Sequence, residues 1–278
     1  MKTFFRTLIV LTAVWLLSGC ATAEPAPTTE ATAPPTTIET LPPETTAPPE
    51  TEPIFPEPGN HVGCYESETT GDYLEYYLHI PEGVEEGMPL VIYLHGDGQV
   101  DKMDQLSNHG MIAKAREAYG EEFPFIGLTP CTRRITWVHD TVPDTLMELI
   151  EYAVSEYRIN REKIIITGHS RGAIGTWNLI SLYGDYFSAA VPMSCDCGDV
   201  DFENHPERYQ EAAEVPVRAF VGYQGELDSK YCPAMNYMCE RIRQNGGDAE
   251  LTVFWEYYHD ATCNLAFTPD LFEWMLSQ

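Results

Sequence analysis

Gly168-His169-Ser170-Arg171-Gly172 sets a serine between two glycines, after the apolar run Ile164-Ile165-Ile166-Thr167 and before Ala173-Ile174-Gly175-Thr176-Trp177-Asn178-Leu179-Ile180, which reads as a helix. A serine hydroxyl attacks a carbonyl only when it is presented sharply, relieved of its proton by a base, and faced by donors for the charge it creates. A strand-to-helix turn meets the first need. It forces Ser170 into a strained backbone and brings neighbouring chain so close that glycine is required on both sides. The helix N-terminus beneath it favours developing negative charge. The partners that accompany such an elbow follow in the order serine, acid, histidine. Ala219-Phe220-Val221-Gly222-Tyr223-Gln224-Gly225-Glu226-Leu227-Asp228 offers Asp228 in a turn after a strand, with Glu226 as main rival and Asp196 and Asp199 as further ones. His259 is the last histidine of the chain and follows the last strand-like run, where the base belongs.

These residues need a scaffold of buried strands and covering helices. The segment from residue 59 on alternates strand-like and helix-like stretches, which implies a mainly parallel sheet. Tyr73–Ile80 alternates as a half-exposed strand does, while the unbroken apolar run Pro89–Leu94 fits a buried one. Further strands are expected at Phe123–Leu128, Lys163–Thr167, Phe187–Met193, Val217–Tyr223 and Glu250–Trp255. Helices are expected over Thr141–Tyr157, whose Leu146, Leu149, Ile150, Ala153, Val154 and Tyr157 share one face, and near Arg171–Tyr183, Ala234–Gln244 and Pro269–Leu276.

Three regions precede or make up this scaffold. Residues 1–20 carry Lys2 and Arg6, an apolar run from Leu8 to Leu17, and then Leu17-Ser18-Gly19-Cys20. That is an export signal ending in the small-residue tetrapeptide of bacterial lipoproteins, in which Cys20 is lipidated. Residues 21–58 hold 11 Pro, 10 Thr and 7 Glu with no Lys or Arg, a composition that builds no core. At about 3 Å per residue it reads as a disordered tether with a reach of roughly 100 Å. Residues 59–278 are the working domain, sized for one α/β unit. The full chain has 43 acidic and 16 basic side chains, a net charge of −27, which excludes nucleic acid or an anionic lipid surface bound through a general basic field. Attachment through a lipid on Cys20 needs no such field, so a cell-surface, extracytoplasmic location is expected.

The chain resembles the α/β-hydrolase superfamily, and within it bacterial esterases of the feruloyl-esterase-like, phospholipase/carboxylesterase-like and predicted-peptidase groups. The resemblance runs from about Tyr76 to Leu276. It rests on Leu94-His95-Gly96-Asp97-Gly98-Gln99, Pro130-Cys131 followed by Trp137, Ile166 to Gly172 with Gly175-Thr176-Trp177, Gly225-Glu226-Leu227-Asp228, and His259 followed by Phe272-Glu273-Trp274. It implies an α/β-hydrolase fold, a three-layer sandwich with helices on both faces of the sheet, and a triad of Ser170, Asp228 and His259. It also implies an oxyanion site made by the backbone N–H groups of Asp97 and Arg171, with His95 supporting the turn. Trp137 by analogy lines the acyl pocket, and Arg133 and His169 are placed with it as substrate-binding candidates. Arg171 departs from the small or uncharged residue usual there, and Ala173 from a glycine.

The expected function is therefore hydrolysis of carboxylic esters, acyl or feruloyl and acetyl esters of glycans among them, by a monomer with no cofactor or metal. A serine peptidase of the same fold and a catalytically silent surface-binding module are the alternatives. Arg133, Arg134, Arg171 and Lys230 are expected at the rim of the sheet, either to receive an anionic substrate or to balance local acids. Cys64, Cys131, Cys195, Cys197, Cys232, Cys239 and Cys263 leave one thiol over when paired. One or two disulfides at the rim are expected, with pairing open, and no zinc-site spacing is present.

Overall fold

A computed structural model describes residues 56–278 apart from 109, 135, 140 and 199. The signal, Cys20 and nearly all of the tether lie outside the described residues. The first strand begins at Gly59.

Eight strands form one sheet in the order β1-β2-β4-β3-β5-β6-β7-β8. They are β1 (Gly59–Glu66), β2 (Tyr73–Ile80), β3 (Leu90–Leu94), β4 (Ile126–Cys131), β5 (Ile164–His169), β6 (Ala189–Met193), β7 (Val217–Gln224) and β8 (Ala249–Tyr258). β2 runs antiparallel to both β1 and β4, and from β4 to β8 every pairing is parallel. Parallel neighbours require crossovers, which here are helices on both faces. The unbroken apolar runs follow from that burial. In β3, Leu90, Ile92 and Leu94 face a core built with helices Val142–Glu156, Arg171–Leu182 and Asp228–Gln244. Val91 and Tyr93 face the other layer, with helices Gly110–Tyr119 and Pro269–Ser277. Every residue of β3 is buried, and truncating one of its leucines to alanine costs about 2–5 kcal/mol.

Several boundaries differ from the periodicity. β4 begins three residues later than Phe123 because Phe123 and Phe125 pack as side chains into the second core layer, their rings 5.2 Å apart. β1 has no apolar alternation to announce it. It lies at the sheet edge, alternately half-buried and exposed, with Gly63 under the ring of Tyr76, where a Cβ would sit 2.2 Å from Cζ. The helix expected from Ala234 begins six residues earlier, at Asp228, and contains Pro233.

The rim disulfides are not formed: all seven described cysteines are free thiols. Cys195 and Cys197 come nearest to pairing, with their sulfurs 3.4 Å apart, well outside a bond of about 2.05 Å. Burial pushes the Cys263 thiol up to about 11 and the Cys239 thiol up to about 12. Among the described residues no helix is long and apolar enough to cross a membrane.

Candidate active site

β5 ends at His169, and Ser170 turns the chain into the helix Arg171–Leu182 with φ 57° and ψ −117°. A non-glycine residue at such a φ stores about 1–3 kcal/mol of strain. The surroundings impose it. Ser170 donates its N–H to Met193 O at 2.8 Å and accepts from the N–H groups of Ala173 and Ile174 at 2.9 and 3.2 Å. A Cβ on Gly168 would stand 2.2 Å from Gly172 O, and one on Gly172 would stand 1.9 Å from Leu94 O. Both glycines of the pentapeptide are thus dictated by backbone packed on backbone. Gly175 is dictated by a side chain, the Cβ of Trp137, at 2.6 Å.

The end of β3 is pinned against this elbow. His95 is buried, and its Nε2 accepts the N–H of Thr132 at 3.1 Å. Its proton therefore sits on Nδ1, which donates to Gly96 O at 2.8 Å. Trp137 packs edge-on to His95, ring centres 5.0 Å apart, and donates its indole N–H to His95 O at 3.0 Å. His95 is a turn-holding residue with both nitrogens committed. Gly96 lies directly over the serine, so close that a Cβ there would be 3.2 Å from Ser170 Cβ. The next residue, Asp97, opens a single 3₁₀ turn and shares two clefts with Ser170. Arg171 is the first residue of its helix, so its N–H has no intrahelical acceptor and points out of the helix end with the positive pole of the dipole. Its guanidinium reaches back to Asp97, with Nε 3.0 Å from Oδ1 and 3.2 Å from Oδ2.

β7 and β8 carry the remaining pair. After β7, Gly225 at φ 103° makes the turn that starts the next helix at Asp228. Asp228 is 1% exposed, and its Oδ1 stands 3.5 Å from Nδ1 of His259, the residue that follows β8. That separation is just beyond hydrogen-bond range, and neither atom has another partner; contacts of this kind tighten when a reaction charges the imidazole. Burial pushes the Asp228 carboxyl above its usual range, while the ring and backbone N–H of His259 pull it back down. The imidazole of His259 lies between two rings, His169 at 4.5 Å and Tyr231 at 5.4 Å between centres. His169 also donates from Nε2 to His259 O at 3.1 Å. Gly222 keeps this corner compact, since a Cβ there would be 2.8 Å from Tyr257 O and 3.2 Å from Asp228 Oδ2.

Ser170, His259, Gly96, Asp97, His169 and Tyr231 face one cleft of about 390 Å³, which also takes in Leu227 and Asp260. A smaller cleft of about 170 Å³ is also lined by Ser170, with Asp97, Arg171, Ile174, Cys195, Asp196 and Tyr231. Ser170 thus lines both clefts. Among the described residues no three His, Cys, Asp or Glu side chains are grouped to hold a metal.

Ser170, Asp228, His259, Asp97, Arg171 and His169 therefore come together. The rival acids do not meet the imidazole: Glu226 is exposed and pairs with Lys230 at 3.4 Å, Asp196 is exposed on the wall of the smaller cleft, and Asp199 lies outside the described residues. Two substrate-binding expectations need correction. Trp137 is 1% exposed and lines neither cleft; its indole is spent on the His95 turn and on packing against Gly175. Arg133 faces a separate depression with Asp72, Tyr73 and Thr145. It is held there by Glu75 at 2.9 Å, Asp101 at 3.3 Å and the ring of Tyr73. Arg134 pairs with Asp72 at 2.9 Å. All four rim cations have a carboxylate partner, and of the four only Arg171 lines a cleft with Ser170.

Tyr231 was missed. It stands three residues after Asp228 on the same helix, a spacing that shares a face, and an earlier helix start would have exposed it. Ser194 was also missed. Its hydroxyl donates to Thr262 Oγ1 at 3.0 Å and accepts the N–H of Gly222 at 3.4 Å, tying the ends of β6 and β7 to the segment after His259. No local pattern marks it.

No family model matches the chain. A bifunctional acetylxylan esterase/xylanase of Neocallimastix patriciarum is 24% identical over 122 residues, 43% of this chain, and the match spans only 18% of that protein's length. Among solved structures, a thermostable esterase superposes with a TM-score of 0.67 at 22% identity over 79% of this chain and 63% of its own. Est1E from Butyrivibrio proteoclasticus gives 0.58 at 17% identity, over 79% of this chain and 98% of its own. A ferulic acid esterase gives 0.57 at 14%, over 79% and 99%.

Proposed function

We propose that this chain, whose fold is that of the α/β-hydrolases, is a serine hydrolase of carboxylic esters. The observation that carries the proposal is the strained Ser170 sharing one cleft with His259, whose far nitrogen faces the buried carboxylate of Asp228. In the reaction, His259 Nε2 takes the hydroxyl proton as Ser170 Oγ attacks the ester carbonyl. Asp228 holds the ring through Nδ1 and offsets the imidazolium charge. The backbone N–H groups of Asp97 and Arg171 receive the oxyanion. His259 then returns the proton to the departing alcohol, leaving Ser170 acylated. A water activated by the same imidazole releases the acid and restores the hydroxyl.

Esters are preferred to amides because an alcohol leaves with less assistance than an amine. Names among the similar proteins, acetylxylan esterase and ferulic acid esterase, make glycan-linked acetyl and feruloyl esters the substrates to test first. The lipobox-like Leu17-Ser18-Gly19-Cys20 supports a lipid-anchored, extracytoplasmic enzyme on a long tether. Labelling by a fluorophosphonate probe, abolished in Ser170→Ala, is the direct test. Folded wild-type protein that resists the probe would overturn the reading. A panel of p-nitrophenyl esters, acetylated and feruloylated sugars and peptide anilides then ranks substrates, and faster anilide turnover would replace esterase with peptidase.

A further inference from the structure

The residues whose amides are assigned to the oxyanion also touch through their side chains. Arg171 Nε lies 3.0 Å from Asp97 Oδ1 and 3.2 Å from Oδ2, bridging the turn after β3 to the start of the elbow helix. A cation at the first position of a helix faces the positive pole of the dipole, an unfavourable place unless a carboxylate compensates it. The turn it reaches is a single 3₁₀ turn, Asp97–Gln99, with glycine at 96 and at 98; His95 Nδ1 and the Gln99 N–H hold the carbonyl of the Gly96–Asp97 peptide at 2.8 and 3.2 Å, and the ion pair adds a hold through the Asp97 side chain. The turn also brings an ionised carboxylate to the wall of both clefts beside Ser170, where the reaction gathers negative charge.

We propose that the Arg171 side chain is a positioning residue for the oxyanion site: by gripping the Asp97 carboxylate it adds to the hold on the Asp97 N–H and cancels a charge that would oppose the oxyanion. This rests on the esterase reading above. It accounts for an arginine directly after the nucleophile. A half-exposed ion pair adds little to stability, so the pair's consequence lies in turnover.

The experiment compares wild type with Arg171→Gln, Asp97→Asn and the double variant, using p-nitrophenyl acetate at low salt and at 1 M NaCl, with melting temperatures as a check on folding. Arg171→Gln leaves the carboxylate unopposed and lowers kcat about tenfold, a fraction of the loss seen when an oxyanion donor is removed outright. KM stays within about twofold, and high salt restores part of the loss. Asp97→Asn lowers kcat less, about twofold to threefold, because the amide loses its grip but adds no charge. The double variant matches Asp97→Asn, the charge penalty being gone. Arg171→Lys, which keeps the charge and loses the fork, falls between wild type and Arg171→Gln. Single losses that multiply in the double variant, or all variants within twofold of wild type, would overturn the proposal while leaving the esterase reading intact. Wild-type protein without turnover or probe labelling would overturn both.

Discussion

Around Ser170 the chain meets itself backbone to backbone. The approaches that exclude a Cβ at Gly168 and Gly172 are to carbonyl oxygens, 2.2 and 1.9 Å away, and a carbonyl locked in a helix or a sheet has nowhere to go. Around His259 the contacts are between side chains: a 3.5 Å approach to Asp228, a tilted His169 ring, and Tyr231 at 5.4 Å. The first region holds Ser170 by hard repulsion, the second holds His259 by soft attraction and one buried charge. Geometry that must not vary is built from glycine and strain, while geometry that must respond to a moving proton is built from groups with room to tighten.

The comparison breaks most readily at Gly172. Gly172→Ala puts a methyl into Leu94 O and costs about 4 kcal/mol or more, so the variant is expected as insoluble or unfolded protein, seen by expression yield and circular dichroism. A well-folded Gly172→Ala would show that the elbow is softer than described.

On the soft side, Asp228→Asn is expected to lower kcat by about 10⁴, the cost of losing the carboxylate that orients the imidazole, without lowering the melting temperature at pH 7. The sign follows from burial. A carboxyl raised above its ordinary 3.8 binds its proton more tightly folded than unfolded, so its favourable contribution is complete below that value and is lost as pH rises through the folded pKa. At neutral pH the ionised group therefore opposes the fold, and the neutral amide does not. A clear drop in melting temperature would mean that the attraction to His259 outweighs the burial cost.

Gly222→Ala joins the two regimes. Its methyl meets Tyr257 O at 2.8 Å and Asp228 at 3.2 Å, shifting the end of β8 and with it His259. A loss of roughly tenfold to a hundredfold in kcat is expected, as for a small displacement of a catalytic group, in a protein that still folds. The smallest effect is expected at Arg133, which is engaged with Glu75 and Asp101 away from either cleft. Arg133→Ala should change kcat/KM by less than about twofold for neutral and carboxylate-bearing esters alike, surface ion pairs being worth little. A selective loss on the anionic ester would return Arg133 to the site.

What could be read from the chain follows the same division. The elbow was legible because its demands are local: an apolar run, glycines flanking the serine and a helix all fall within fifteen or so consecutive residues. β2 and β3 were legible because one alternates and the other is buried on both faces. Asp228 is favoured over Glu226 by its place in the Gly225-Glu226-Leu227-Asp228 turn after a strand, but its helix begins six residues before the periodicity shows it, and Tyr231 is lost with that turn. Arg133 and Trp137 were misplaced because nearness to the rim in sequence does not say which way a side chain turns. The nearest carboxylates to Arg133, Glu75 and Asp101, are 58 and 32 positions away along the chain.

By itself the sequence determined the class of sheet and singled out Ser170 and the chain order of the residues that meet it, because strand burial, turn sterics and helix periodicity act over a few residues. Tertiary structure alone decided which acid faces the imidazole, how His95 and Trp137 are spent on one turn, that the seven described cysteines remain thiols, and that Arg171 closes on Asp97 across 74 positions. Those outcomes depend on distances between segments brought together by the whole sheet, and such distances are written in no local pattern.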